Sequence, residues 1–248
     1  MIIMSGKKVS LILTTYNSEN NLKYTLDSLE MQDYENIEVV IKDGGSTDST
    51  VDIISKYRDN SKYNVISKSC KDTGIYDAMN QGYALSTGDY ILFFNDTFSE
   101  PDAISQMIDA IESKPDCVGC HSDLVYEKDG RVIRQWKMGP QKSIYSGWMP
   151  GHPTLLLKRE IYEKYGLYKV DYRIAADYEF MVRFLENNKI AYIPKVLISM
   201  FYGGTSSNGI KSYIQSFKKQ NRALSENGYR FKWIISIKRT IRVLSQFR

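Results

Sequence analysis

IEVVIKDGGSTD, residues 37–48, joins a β-rich apolar run to Asp43 and a Gly-Gly turn. Such a run predicts a buried strand, and a serine or threonine of the turn then offers a cap for a helix over residues 49–57. VSLILTTYN (9–17) has the same design, a buried strand that feeds a polar loop, and a helical pattern over residues 21–32 follows it. The sequence of strand, polar loop and helix therefore occurs twice in succession, which is typical of a parallel sheet.

The same alternation continues along the chain. Strands are predicted over residues 64–68 and 89–94, and helices over residues 77–86 and 101–113, the last with a proline at its start. This order predicts an α/β fold, a doubly wound, mainly parallel sheet flanked by helices, with a Rossmann-like nucleotide-binding half. Ligands of such sheets bind beyond the carboxyl ends of the strands. The polar residues expected to converge there are Thr14, Asn17, Asp43, Asp72 and Asp96.

The second half of the chain has a less regular pattern. The predicted segments are a strand pair over 117–139, a strand and helix over 152–166, a helix over 177–188 and a strand region over 191–202. The loop GGTSSNG (203–209) follows them, and its composition is flexible. It could close over a ligand, or it could be a plain turn.

The composition is that of a globular protein. The 248 residues are 42% hydrophobic and 25% charged, which argues against disorder. The longest apolar runs, such as YILFF (90–94), are far shorter than the roughly 20 residues that a membrane-spanning helix needs. The N-terminal MIIMSGKK lacks the long apolar core of a signal peptide, and three cysteines fit a reducing compartment. We therefore expect a cytoplasmic protein.

Cys117, Cys120 and His121 form a C-x-x-C-H sequence, which is formally the pattern of haem attachment. Haem attachment requires export and a set of axial ligands, and the sequence signals neither. The alternative is that VGCHSD is a strand and turn of small residues, which the brevity of the motif favours.

Positive charge is concentrated at the C-terminus. The net charge is +4, and residues 229–248 contain six basic residues and no acidic one, so that the other 27 of the 33 basic residues nearly balance the 29 acidic ones. A nucleic-acid-binding protein would more often spread basic residues over its folded face, so we expect no nucleic acid partner. We divide the chain into a single domain, residues 1–228, and a basic amphipathic helix, residues 229–248.

A helical wheel of about 100° per residue separates the side chains of this C-terminal helix into two sides. The apolar arc contains Trp233, Ile234, Ile237, Ile241, Leu244 and Phe247, and the opposite side contains Lys232, Lys238, Arg239 and Arg242. Such a helix can lie in a membrane interface near anionic lipid, which would be peripheral contact at the inner face of the plasma membrane. The alternative is a helix that packs on the domain or on a partner subunit.

Several blocks of the sequence together resemble a known enzyme family. The blocks are TTYN (14–17), DGGSTD (43–48), KDTGIYDAMNQG (71–82), GDYILFFND (88–96), PGHPTLLLKREIYEKYG (150–166), IAADYEFMVR (174–183) and FYGGTSS (201–207). In this order they resemble the family 2 glycosyltransferases, inverting nucleotide-sugar enzymes of GT-A fold, and among these the bacterial surface-polysaccharide enzymes of colanic-acid type. The resemblance implies transfer from a nucleoside diphosphate sugar, expected to be a UDP-sugar, to a saccharide or lipid-linked acceptor.

The resemblance also implies a nucleotide-sugar site. Its residues would be Thr14, Tyr16, Asn17, Asp43, Gly44, Asp72, Asn95 and His152. Asp43 would accept hydrogen bonds from the base or ribose, and Asp72 would make a further nucleotide contact, although related sequences usually carry an acid where this chain has Cys70. The alternatives are structural: Asp43 as a helix cap, Asp72 as a loop cap and His152 as a packing residue.

The departing nucleoside diphosphate needs a counter-charge, which Mg²⁺ or Mn²⁺ would supply. Family members hold such an ion with a D-x-D motif or a shortened version, and the subgroup often has a block like F-L-N-S-G-D-x-F. Here the block is FFNDTF (93–98), so the resemblance makes Asp96 the metal-contacting acid and Asn95 the polar residue before it. The alternative is that Asp96 caps the helix near Pro101.

Inverting transfer needs a general base for the acceptor hydroxyl. IAADYEF matches the family's catalytic-base block, so the resemblance implies that Asp177 is this base, at a helix start where the macrodipole favours an ionised acid. Glu179 points about 200° around the helix from Asp177, so both cannot face one substrate, and Glu179 is the second candidate for the base. Arg183 could pair with an aspartate or a phosphate, or form a structural ion pair.

Two other classes of function remain open at this point. The shortened metal loop would also suit a non-catalytic nucleotide-sugar-binding subunit. A nucleotidyltransferase would share the α/β layout, but it would need a glycine-rich, basic phosphate loop near the N-terminus. TTYNSENN (14–21) has neither glycine nor a basic residue, which argues against that class.

Overall fold

A computed structural model describes residues 6–128, 130–201 and 209–244. The strands are β1 (Val9–Thr15), β2 (Ile37–Asp43), β3 (Asn64–Ser69), β4 (Tyr90–Phe93), β5 (Thr97–Phe98), β6 (Cys117–Lys128), β7 (Arg131–Trp136), β8 (Leu156–Lys158) and β9 (Lys189–Phe201). The α-helices are α1 (Leu22–Glu30), α2 (Thr50–Asn60), α3 (Ile75–Leu85), α4 (Ala103–Glu112), α5 (Arg159–Tyr165), α6 (Ala176–Leu185), α7 (Gly209–Glu226) and α8 (Lys232–Leu244).

The strands form one sheet in the order β3-β2-β1-β4-β8-β6-β9-β5, with β7 paired to β6. The first four strands are mutually parallel, and their register brings Thr15, Asp43 and Ser69, the last residues of β1, β2 and β3, next to one another. β6 and β9 are also parallel, whereas β8 is antiparallel to both of its neighbours. The predicted α/β fold with a mainly parallel sheet is confirmed. The direction of β8 could not be predicted, because no pattern in a three-residue strand reports it.

Apolar side chains alternate between the two faces of the sheet, as the pleat requires. Leu11 and Leu13 of β1 belong to the core cluster that includes side chains of α1, α2 and α4. Ile12 belongs to the cluster that includes side chains of α3, α5, α6, α7 and α8. Helices therefore cover both faces, and the loops at the carboxyl ends of the parallel strands emerge between the two layers.

Two helices differ from the sequence-based expectation. α3 begins at Ile75, two residues earlier than predicted, directly after Gly74 with φ +134°. α7 was not predicted, because its sequence is largely polar and Ala223 and Leu224, which are fully buried, lie near its C-terminal end. Most of the predicted loop 203–209, like the Asp129 position of the predicted hairpin turn, lies outside the described residues.

α8 packs on the domain through its less apolar side. Ile235 and Ser236 are buried, and the Arg239 guanidinium lies 4.9 Å from the centre of the Tyr178 ring. The side chains on the predicted apolar arc point outward instead. Their exposed fractions are 58% for Trp233, 51% for Ile234, 53% for Ile237 and 61% for Ile241. Within the described residues, none of the helices is sufficiently long and apolar to cross a bilayer.

The second half of the fold contains a fully buried charge, Glu179 on α6. Its carboxylate oxygens lie 2.8 Å from Lys169 Nζ and 2.9 Å from Arg183 Nε. Arg183 also donates to the carbonyl oxygens of Tyr165 and Leu167, the second at 2.7 Å. Through Arg183, the Glu179 ion pair therefore joins α6 to the end of α5 and to the loop that follows α5.

Replacing Glu179 by glutamine should lower the free energy of unfolding by about 3 kcal/mol. The physical reason is that Arg183, largely buried, would keep its charge without a counter-charge. Urea denaturation followed by circular dichroism measures the change. Glu163→Gln, at an exposed position on α5, is the matched control and should change stability by less than about 0.5 kcal/mol. Equal losses in the two variants would contradict a structural role for the Glu179 charge.

Candidate active site

The carboxyl ends of β1, β2 and β3 meet around the fully buried carboxylate of Asp43. Oδ1 accepts hydrogen bonds from the Thr15 hydroxyl at 3.1 Å and from the Ser46 hydroxyl. Oδ2 accepts from the Ser69 hydroxyl at 2.6 Å and from the backbone N–H groups of Gly45 and Ser46 at 3.0 and 2.9 Å. Burial alone would raise the pKa of Asp43, but these hydrogen bonds outweigh it and lower the pKa below its ordinary value.

This bonding gives Asp43 the role of organising the loop. A carboxylate has about four lone-pair positions, and Asp43 already accepts five hydrogen bonds. A base or ribose could bond to it only by displacing one of these donors. Direct nucleotide contact by Asp43 therefore stays a prediction. The observed hydrogen bonds are those by which Asp43 supports the strand ends.

Tyr16, Gly44 and Asp72 lie together at the same edge of the sheet. The Tyr16 side chain is 64% exposed. A Cβ atom added at Gly44 would lie 2.8 Å from Asp72 Oδ2 and 3.3 Å from Tyr16 Cδ2, so only glycine allows this close approach. Gly45, with φ +84°, is the residue that takes the left-handed conformation of the turn. Three residues of the predicted nucleotide-sugar site therefore lie together, with an exposed aromatic ring beside a carboxylate.

Lys42 lies beneath this group, and the sequence analysis does not single it out. Its side chain is fully buried, and its Nζ donates to the carbonyl oxygens of Asp43 and Cys70 at 2.6 and 2.7 Å and to Asp72 Oδ2 at 3.2 Å. It thus ties the end of β2 to the loop after β3. The available signal was a charged residue inside an otherwise apolar strand, IEVVIKD (37–43).

Asn17 braces the turn that follows Asp43. It has φ +47°, a conformation that asparagine tolerates better than most residues. Its N–H donates to the Ser46 hydroxyl at 2.8 Å, and its Oδ1 accepts from the Thr47 N–H at 2.9 Å. Asn17 therefore acts as a loop anchor, and a contact with a nucleotide base stays a prediction.

Thr14 and Asn95 bridge β1 and β4. Asn95 Oδ1 accepts from the Thr14 N–H at 2.8 Å, and Asn95 Nδ2 donates to Thr14 Oγ1 at 2.9 Å. β2 and β3 lie to one side of β1 and β4 to the other, so the chain order reverses between β1 and β4. Such a switch point is where open α/β sheets bind ligands. The pair therefore lies at the position expected for the donor crevice.

Asp96 lies in the bend between β4 and β5 and is buried. Burial raises the pKa of its carboxyl to about 7, and a hydrogen bond from the backbone of Phe201 opposes part of that rise. α4 has Asp102 at its cap position, and the Asp96 bond to Phe201 faces the end of β9. The geometry therefore does not support the alternative in which Asp96 caps the helix after Pro101.

A divalent cation needs several oxygen ligands, which a protein and its substrate can share. Within the described part of the chain, no three His, Cys, Asp or Glu side chains are grouped closely enough to hold a metal ion. Asp96 nevertheless fits an ion held mainly by a diphosphate, because Mg²⁺ often has only one or two carboxylate ligands beside substrate phosphates. A carboxylate destabilised by burial also gains more from a nearby cation than an exposed one does.

Asp177 lies in the first turn of α6 and is partly exposed. Its Oδ1 accepts a hydrogen bond from the Tyr76 hydroxyl at 2.8 Å. Ala175, the residue directly before the helix, has φ +63°, an unusual conformation for a residue with a side chain. Strained backbone of this kind is concentrated at functional sites, where surrounding structure holds it in place.

His152 lies close enough to Asp177 for the aspartate charge to act on its pKa. Burial lowers the pKa of His152, and the charge of Asp177 opposes part of that decrease. Its Nε2 is 2.7 Å from the Tyr168 hydroxyl, and its ring stacks on Phe93 with 6.0 Å between centroids. His152 and Asp177 therefore lie within electrostatic range of each other, and a contact of His152 with diphosphate or acceptor stays a prediction.

Three other positions have structural roles. Both carboxylate oxygens of Glu179 are engaged in buried ion pairs, so Glu179 is not available as the alternative base. Arg183 forms one of these pairs, which is structural. His121 is fully buried within β6, stacked on Tyr192 and edge-on to Trp148. The strand interpretation of VGCHSD therefore applies, and a haem attachment at this motif does not fit.

The chain was compared with known proteins. The family described as Glycosyl transferase family 2 matches residues 10–175. A "PGL/p-HBAD biosynthesis glycosyltransferase" of Mycobacterium tuberculosis is 30% identical over 98% of this chain and 94% of its own length. A second M. tuberculosis protein, an uncharacterized glycosyltransferase, is 32% identical over 72% of this chain and 69% of its own length.

Solved structures share the fold at low sequence identity. S. aureus TarS 1-349 in complex with UDP-GlcNAc matches with a TM-score of 0.72 and 21% identity, over 97% of this chain and 74% of that one. The mannosyltransferase PcManGT of Pyrobaculum calidifontis, in complex with GDP-Man and Mn²⁺, matches with a TM-score of 0.68 and 17% identity, over 97% and 71% of the two chains. The predicted GT-A fold is confirmed. Because the family match covers more than half of its residues and a relative matches nearly its whole length, the chain belongs to glycosyl transferase family 2 and is a glycosyltransferase.

Proposed function

We propose that the enzyme transfers a sugar, with inversion, from a nucleoside diphosphate sugar to a hydroxyl of a saccharide or lipid-linked acceptor in bacterial polysaccharide synthesis. The observation that carries the proposal is the contrast between the two acids of the first turn of α6. Asp177 is partly exposed and accepts a hydrogen bond from the Tyr76 hydroxyl, whereas Glu179 is fully buried and paired twice. Asp177 is therefore the acid of this turn that can reach an acceptor.

The proposed reaction is one in-line displacement. The acceptor oxygen forms a bond to the anomeric carbon while the bond from that carbon to the diphosphate oxygen breaks. The acceptor proton passes to the Asp177 carboxylate, and the nucleoside diphosphate leaves with the bonding electrons. One displacement inverts the anomeric configuration. A non-catalytic binding subunit, the alternative, would instead bind the donor without releasing nucleoside diphosphate.

The donor would bind at the edge built around Asp43. The exposed Tyr16 ring offers a surface on which a base can stack, and Asp72 offers carboxylate oxygen beside it. We propose a UDP-sugar, which the UDP-GlcNAc complex of TarS supports, although PcManGT binds GDP-Man. The remaining residues proposed to line the donor site are Thr14, Asn17, Asp43, Gly44, Asn95 and His152.

Asp96 is the residue proposed to hold Mg²⁺ or Mn²⁺ together with the donor diphosphate. When bound, the ion would neutralise the charge that develops on the leaving diphosphate. The Mn²⁺ in the PcManGT complex supports this assignment. The burial of Asp96 supports it as well, since it keeps water from competing for the carboxylate.

Asp177→Asn should lower the rate of transfer by about 10²–10⁴-fold while the affinity for the donor stays within about twofold, because only proton removal is lost. A panel of nucleotide sugars with Mn²⁺, screened by thermal shift, identifies the donor. Release of nucleoside diphosphate then gives the rate, and calorimetry gives the affinity.

Asp52→Asn is the matched control, because Asp52 is an exposed aspartate in the first turn of another helix, α2. Its rate should equal that of the wild type. Normal turnover by Asp177→Asn would refute the assignment of the base.

Asp96→Asn should weaken donor binding in the presence of Mn²⁺ by about tenfold or more, since a neutral amide binds a divalent cation poorly. In the presence of EDTA the variant and the wild type should bind the donor equally. Calorimetry with and without Mn²⁺ separates the two cases. Asp109→Asn, at an exposed position on α4, should keep the full response to Mn²⁺. If Asp96→Asn also keeps it, the metal is held elsewhere.

We also propose that the enzyme is cytoplasmic and that residues 229–248, whose helix α8 packs on the 1–228 domain through Ile235, make peripheral contact with the inner face of the plasma membrane. The outward apolar surface of Trp233, Ile234, Ile237 and Ile241 supports this, because such side chains gain free energy by entering a lipid interface. A lipid-linked acceptor would be presented at that interface.

The double variant Ile237→Ser/Ile241→Ser should lower partitioning onto vesicles of phosphatidylglycerol and phosphatidylcholine by about tenfold or more, since two exposed apolar side chains are lost. Vesicle sedimentation measures it. Val132→Ser removes an apolar side chain of similar exposure, 57%, from β7, and it should sediment like the wild type. Unchanged binding of the double variant would exclude this face of α8 as the membrane contact.

A further inference from the structure

Helix α3 continues directly from the loop that carries Asp72. In this loop Asp72 Oδ1 accepts from the Gly74 N–H at 3.0 Å. Asp77, in the first turn of α3, accepts through Oδ2 from the N–H and the hydroxyl of Thr73 at 2.9 and 3.0 Å. The first turn of the helix and the loop are therefore hydrogen-bonded into one unit, which Lys42 holds from below through Asp72.

Two side chains of α3, one turn apart, reach the acceptor side of the site. The Tyr76 hydroxyl donates to Asp177 Oδ1 at 2.8 Å. Asn80 Nδ2 donates to the Tyr168 carbonyl oxygen at 2.9 Å, and Asn80 Oδ1 accepts from the Tyr168 N–H at 3.1 Å. The Tyr168 hydroxyl is in turn 2.7 Å from His152 Nε2. A single face of α3 thus holds Asp177 directly and His152 through Tyr168.

Tyr76 is suited to donating a hydrogen bond rather than to exchanging its proton. Burial raises the pKa of Tyr76 well above its ordinary value, and the charge of Asp177 raises it further, so the hydroxyl stays protonated. The Tyr76 ring packs against the Tyr168 ring with 5.6 Å between centroids, which limits its rotation. The hydroxyl is therefore held in one place beside the carboxylate.

We propose that Tyr76 is a positioning residue for the base. Its hydrogen bond to Oδ1 fixes the rotation of the Asp177 carboxylate, so that Oδ2 is presented to the acceptor hydroxyl. Because Tyr76 stands on α3, the orientation of the base is set by the same helix that carries the nucleotide loop. Tyr76 itself takes no proton in the reaction. The inference rests on the proposed function of Asp177 as the base.

Tyr76→Phe removes the hydroxyl and keeps the ring. We expect kcat to fall by about 10- to 100-fold, because a carboxylate free to rotate meets the acceptor in the right geometry less often. The KM for the acceptor and the calorimetric Kd for the donor should stay within about twofold. A residue that only supported the fold would change KM, Kd or the fraction of binding-competent protein, and calorimetry reports that fraction as the binding stoichiometry.

Tyr83→Phe is the matched control, since Tyr83 lies on the same helix and packs with Tyr162 and Arg159 instead of Asp177. Its kcat should equal the wild-type value. Wild-type kcat in Tyr76→Phe, or an equal loss in Tyr83→Phe, would overturn the inference and leave the proposed function intact. Absence of transfer by the wild type with every nucleotide sugar tested would overturn the proposed function, and this inference with it.

Discussion

The hydrogen bonds to the Asp43 carboxylate determine the geometry of the sheet edge where β1, β2 and β3 end, which is the proposed nucleotide site. They come from the end of β1, from the turn after β2 and from the end of β3, so one buried charge draws three chain segments together. Lys42 adds a second connection through the Asp43 carbonyl and Asp72. Because the pKa of Asp43 is lowered, the carboxylate stays ionised and its donors stay paired. The exposed position of Tyr16 and the close approach of Asp72 to Gly44 both depend on this arrangement.

The region around Asp177, the proposed acceptor side of the site, has a different chemical character. Asp177 accepts a hydrogen bond from the Tyr76 hydroxyl, and its charge acts on the imidazole of His152, against which Phe93 and Tyr168 pack. Electrostatic interactions are stronger in such a setting than in water, so a single hydrogen bond has more influence on the carboxylate. The enzyme therefore combines an edge of satisfied polar groups, the proposed donor side, with an aromatic region that contains Asp177, the proposed base.

Sequence reasoning succeeded where the physics is local or periodic. Alternating strands and helices predicted β1 to β4, and the rule that parallel strand ends meet at one edge predicted that Asn17, Asp43 and Asp72 lie close together, as they do through Ser46 and Lys42. It could not predict contacts between distant parts of the chain. Tyr76 and Asp177 are 101 residues apart, and nothing in the pattern around Tyr76 distinguishes it from a packing residue. Lys42 and α7 were missed for a similar reason, since their roles depend on partners elsewhere in the fold.

The segment before α6 is tied to the C-terminal part of α7. Arg222 lies 2.6 Å from Asp171, and Glu226 lies 2.9 Å from the Tyr172 hydroxyl and 3.4 Å from Lys169. These ties lie a few residues before Asp177. A chain truncated after β9 would keep every described strand of the sheet and the whole region of the family match, residues 10–175, yet it would lose the contacts that hold the segment before Asp177. A boundary drawn from the sequence match alone, at residue 175, would fall before Asp177 and before β9, so it would remove part of the sheet as well as part of the candidate site.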